Sequence, residues 1–154
     1  MGTEQFGMAE LYPLMSEVLA SGGEFRLYPK GTSMLPLLRE GRDSVVLVAK
    51  KALKKQDICL YRRKGGEFVL HRLVDFDKEG NPVFCGDNQT VREYGVSTES
   101  VLAVVSAFYR GEKRRSLQGF GYRLYVFLFR FLPVRRLLLK CYYLALRFKK
   151  KKDR

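Results

Sequence analysis

Between Glu24 and Arg110 the apolar residues fall into six short runs, EFRLYP, SVVLVA, DICLYRR, EFVLHRLVDF, NPVFCG and SVLAVVSAFYR. Several alternate apolar with polar residues, the period of a half-buried antiparallel strand. The breaks GGE, KEGN and GDNQ place Gly or Asn where tight turns need them. This spacing predicts a mainly β domain of roughly half a dozen strands over residues 24–110, a folded-over sheet or partly open barrel.

The flanks follow other rules. In residues 1–23, Met8, Leu11, Leu14, Met15, Val18 and Leu19 recur at helical spacing before Gly22-Gly23, which predicts one short amphipathic helix docked on the domain. Residues 111–154 form a basic amphipathic tail. Charge separates the tail from the body. Residues 1–110 hold 15 Lys and Arg against 14 Asp and Glu, a balance of +1, whereas residues 111–154 hold 14 against 2, a balance of +12. Such asymmetry predicts an anionic partner for the tail, a membrane surface or a nucleic acid.

The three cysteines, Cys59, Cys85 and Cys141, lack CxxC spacing, and the chain has a single histidine. They are expected as reduced, mostly buried thiols, with a reducing compartment favoured and no metal or organic cofactor implied. The stretch MGTEQFGMAELYPLM lacks the basic start and apolar core of a signal peptide, and no stretch before residue 120 could span a bilayer.

Three local features bear on chemistry. In GTSMLPLL, Ser33 sits where a strand enters a turn, and it has two readings. It caps the turn, or it is a nucleophile, with Gly31 permitting a tight bend and unpaired N–H groups forming an oxyanion site. A serine nucleophile needs a base, and His71 in FVLHRLV is the one imidazole available. Alternation puts Val69, His71 and Leu73 on one strand face, with Leu70, Arg72 and Val74 on the other. In CGDNQ, Asp87 is either an Asx-turn residue or the group that accepts a hydrogen bond from His71 Nδ1 and fixes its tautomer.

Taken together, GTSMLPLL, EGRD with SVVLV, VLHRLV and CGDNQ resemble, in order, the boxes of the signal peptidase family, whose clan includes the self-cleaving repressors of the LexA type. The resemblance covers about Leu27 to Arg110. It implies the signal peptidase/LexA-like fold and serine endopeptidase chemistry on a precursor or leader peptide. By position, Ser33 matches the nucleophile, His71 the base of the endoplasmic-reticulum and archaeal types, and Asp87 the acidic member. Met34 and Pro36 match the substrate-contacting positions after the nucleophile, and the backbone N–H groups of Thr32 and Ser33 would form the oxyanion site. The sequence departs from the family at Gly31, where many members have a hydroxyl residue, and at Arg42, interposed between Gly41 and Asp43, and the N-terminal transmembrane anchor typical of the family is expected to be absent.

Pro133 divides residues 120–148 into two helical pieces. In the second, Arg135, Arg136, Lys140 and Arg147 share about 140° of a helical wheel. A spanning helix would bury these arginines at ~2.5–3.5 kcal/mol each, so an interfacial helix on anionic lipid is expected, peripheral at the cytoplasmic face and ending in a KKKK run. Two other functions fit the same residues, a relative of the fold that binds peptide without cleaving it and a basic nucleic-acid-binding protein. The second is disfavoured because no recognised module surrounds the charges.

Overall fold

The computed structural model describes residues 7–152, without the side chains of residues 132 and 149–152. The first six residues and the side chains of the terminal lysine run therefore lie outside the described part. The elements are helix α1 (Met8–Ala20), strands β1 (Phe25–Leu27), β2 (Asp43–Ala49), β3 (Ile58–Arg62), β4 (Phe68–Phe76), β5 (Pro82–Cys85), β6 (Val101–Arg110) and β7 (Lys113–Ser116), and helices α2 (Phe120–Phe129) and α3 (Leu132–Lys152).

Seven strands form one antiparallel sheet that does not close, in the order β1-β2-β6-β3-β4-β5, with β7 paired to the last residues of β6. The six apolar runs each become a strand. The seventh, KRRS, falls within residues 111–154, the segment expected to be the basic tail. It is a strand because it adds to Ala107–Arg110 as a hairpin partner, and all four of its residues are exposed. With no face buried, it shows no alternation.

Hydrophobic residues gather in two clusters. The larger joins Met15 and Leu19 of α1 to Val45, Leu47, Leu60 and Phe108 of the sheet, so α1 docks as its apolar spacing predicts. The smaller stacks Tyr61 on Phe84 at 4.3 Å between ring centres, beside Cys59 and Leu73. Cys59 and Cys85 are buried, Cys141 is exposed, and all three are free thiols.

One detail of pairing leaves part of β4 open on one side. Strand β5 pairs β4 only over Arg72–Phe76, while β3 pairs β4 over Phe68–Arg72. Residues 68–71 therefore have a strand on one side only.

The tail does not stand apart from the domain. Phe129 is 5% exposed and stacks on Tyr125, and the hydroxyls of Tyr122 and Tyr125 bond to side chains of the β domain. Arg135 is 8% exposed and donates to the carbonyls of Phe129 and Gln89. This corrects the expectation that Arg135 shares a lipid-facing basic face with Arg136, Lys140 and Arg147. Its guanidinium serves backbone carbonyls instead. No described helix is long and apolar enough to cross a membrane.

Phe129→Ala is expected to lower the unfolding free energy by about 3 kcal/mol. Phe127→Ala, at a position 57% exposed, is expected to change it by less than about 0.5 kcal/mol. Urea unfolding of both variants measures this, and equal effects would mean that α2 is not docked.

Candidate active site

The turn carrying Ser33 is held at both ends by carboxylates. Gly31, at φ +84°, adopts a backbone that side chains disfavour, and its N–H donates to Glu40 Oε2 at 2.8 Å. At the far end Asp43, fully buried, accepts from the Arg39 N–H and from both arms of Arg42. Burial pushes the Asp43 pKa up, but the bonds from Arg42 and Arg39 outweigh it and hold the carboxyl below its ordinary value. The interposed Arg42 is thus the partner that lets Asp43 stay charged inside. Among the described residues, neither the Thr32 nor the Ser33 N–H donates to a protein acceptor, as an oxyanion site requires.

The GDNQ turn lies against this one. The Asn88 N–H donates to the Ser33 carbonyl at 2.8 Å, and Asn88 Nδ2 donates to the Thr32 carbonyl. Gly86 permits the approach, since a Cβ there would stand 2.6 Å from the Ser33 carbonyl oxygen.

Ser33 and His71 line one cleft of about 1110 Å³. Its walls are α1, the stretch from β1 to the Ser33 turn, and the unpaired edge of β4, with Leu27, Leu38, Leu60, Phe68 and Leu70 among the apolar lining. Met34 contributes to the lining although its side chain is mostly core. Pro36, expected to contact substrate, is not part of the lining and follows a cis peptide bond.

His71 is 4% exposed, and burial pushes its pKa down. Its Nδ1 lies 3.2 Å from the Tyr61 hydroxyl, which in turn lies 2.7 Å from Glu93 Oε2. Arg63 grips the same carboxylate with two bonds of 2.7 Å, which together with the Tyr61 hydroxyl hold Glu93 below its ordinary value.

Asp87 is not the partner of His71. Its two oxygens accept both arms of Arg72, at 2.8 and 2.7 Å, and Tyr125 adds a third bond at 2.8 Å. The reason is the alternation of β4, which directs Arg72 and His71 to opposite faces. Asp87 lies on the Arg72 side. Burial works against the charge of Arg72, yet Asp87 keeps its pKa above the ordinary value, and Tyr122 accepts from its remaining arm. The expected hydrogen bond between Asp87 and His71 is therefore replaced by a buried ion pair that α2 seals.

Among the described residues, no group of three or more His, Cys, Asp or Glu side chains could hold a metal ion. Comparison of the chain with protein-family models, with curated proteins and with solved structures returned no match.

Asp87→Asn is expected to destabilise the fold by about 3–5 kcal/mol, because it leaves Arg72 charged, buried and unpaired. Pairing Arg72→Met with Asp87→Leu should restore most of that loss. Thermal unfolding of the single and double variants measures the difference, and an additive loss in the double variant would overturn the pairing.

Proposed function

We propose that this protein is a serine endopeptidase of the kind its four boxes resemble, a signal peptidase-like enzyme with Ser33 as nucleophile and His71 as general base. The observation that carries this reading is that Ser33 and the only histidine, His71, line one largely apolar cleft. The two side chains are not hydrogen-bonded to each other, a common state of free active sites, in which such bonds tighten on substrate binding.

Each step uses groups already described. A peptide lies along the free edge of β4, with apolar side chains in the cleft. Ser33 Oγ bonds to the scissile carbonyl carbon while His71 takes its proton. The N–H groups of Thr32 and Ser33 receive the charge that develops on the carbonyl oxygen. The C–N bond then breaks, and His71 returns the proton to the leaving amine. Water repeats the sequence on the acyl-enzyme, giving a carboxylic acid and free Ser33. Burial keeps His71 neutral at the pH where a base must be unprotonated.

The test is cleavage of a mixed peptide library, read by mass spectrometry, with the full chain and with Ser33→Ala. The full chain should cut at defined bonds, and the variant should lose the activity by several orders of magnitude. Equal cleavage by both would remove Ser33 from the mechanism, and peptides retained but uncut would favour the non-cleaving binding module. The rate should fall on acidification with a midpoint below the ordinary imidazole value of about 6.5. The unfolded chain takes up this proton at higher pH than the folded one. Stability should therefore also decrease as pH falls from the ordinary value to the lower folded one. A pH–rate profile governed only by a lysine-like group would exclude His71.

The tail is proposed as the membrane-facing part. Phe120, Leu124, Phe127 and Phe131 project from one face of α2 and the residues after it, each at least 45% exposed, with Arg123 and Arg130 beside them. An exposed aromatic ridge flanked by cations suits an anionic lipid surface better than water, which supports the reading of the protein as a peripheral membrane component. Replacing Phe120, Phe127 and Phe131 by Ser should abolish co-sedimentation with phosphatidylserine vesicles. High salt should weaken the binding of the unmodified chain. Unchanged binding by the triple variant would reassign the ridge.

A further inference from the structure

The place that Asp87 was expected to fill, beside His71 Nδ1, is occupied by a different arrangement. We propose that Tyr61 and Glu93 form the positioning pair of His71, with Glu93 acting on the imidazole through the Tyr61 hydroxyl. This rests on the reading of His71 as the general base.

The direction of each hydrogen bond follows from which atoms can donate. Glu93 is gripped by Arg63 and is a carboxylate, so it can only accept. The Tyr61 proton is therefore committed to Glu93 Oε2, across 2.7 Å. That leaves the Tyr61 oxygen as an acceptor, and the neighbour at 3.2 Å is His71 Nδ1. Nδ1 must then carry the proton. In a neutral imidazole this leaves Nε2 with a lone pair, the form a general base requires. Glu93 Oε2 lies 3.9 Å from Nδ1, near enough to favour the imidazolium that forms when His71 takes a proton.

The arrangement is rigid. Tyr61 is fully buried and stacked on Phe84, and its hydroxyl pKa is raised by burial, so it holds its proton. Glu93 is fixed by two backbone hydrogen bonds to Phe84 and by Arg63. Such support from packed side chains is what keeps a reacting group in register. The other titratable and charged groups around His71 are Cys59, its cross-strand partner, with a thiol pushed up to about 12, and Arg63 and Asp87, whose charges act in opposite senses. Arg26, Lys30 and Glu40 also line the cleft.

The chain has one histidine, so the ¹⁵N and ¹H resonances of an imidazole in the untagged full chain belong to His71 alone. Long-range ¹H–¹⁵N correlation spectra at neutral pH should show the proton on Nδ1. In Tyr61→Phe that preference should be lost, and in Glu93→Gln the imidazole titration midpoint should move to lower pH. If peptidase activity is present, Glu93→Gln should lower kcat by about tenfold or more, with its acid limb moving in the same direction as the NMR midpoint. A purely structural role for Glu93 would not move that limb. A proton on Nε2 in the unmodified chain, or an unchanged midpoint in Glu93→Gln, would overturn the proposal. These spectra do not require catalysis, so their outcome is separate from that of Ser33→Ala. An inactive chain with an Nδ1 proton would fail the enzyme reading alone.

Discussion

Arg72 and Asp87 face each other out of water, and much of the molecule is arranged around keeping them paired. Two bonds between them satisfy the carboxylate only in part, and Tyr125 from the tail completes it, while Tyr122 and the Gln56 carbonyl take the remaining arm of the guanidinium. Buried ions are tolerated when their remaining donors and acceptors are satisfied in this way. The helical tail, the GDNQ turn and strand β4 therefore cannot be considered as separate modules. The charge imbalance that divides the sequence at residue 110 is not a boundary in the fold.

The same ion pair occupies only one face of β4. One face of β4 carries Arg72 and an acid used for structure. The other carries His71, with its own acid reached through a tyrosine. Two carboxylates thus serve adjacent residues of one strand without competing, because the pleat sends the two side chains apart. The low exposure of His71 would by itself favour its neutral form. Glu93 acts in the opposite sense, and burial outweighs it.

Much of this was legible in the sequence. The six strands follow from alternation and turn residues, and the helix break from Pro133. The alternation of VLHRLV already put Arg72 opposite His71, so a carboxylate that reaches one cannot easily reach the other. The exchange of Asp87 for Tyr61 and Glu93 was not legible. Glu93 is 32 residues from Tyr61 in sequence and reaches it through an isolated bridge to Phe84 that leaves no periodic trace. Nor does a helical wheel tell which of four cations will turn inward, because the acceptors of Arg135 are carbonyls contributed by Phe129 and Gln89. Strand β7 was missed for a simpler reason, since fully exposed strands have no burial pattern to read.

Asn88 joins the tail to the serine turn. Its side-chain amide donates to the Thr32 carbonyl and to the hydroxyl of Tyr143 in α3, while its N–H holds the Ser33 carbonyl. Because the same side-chain amide serves both partners, the position of α3 and the shape of the serine turn depend on one another.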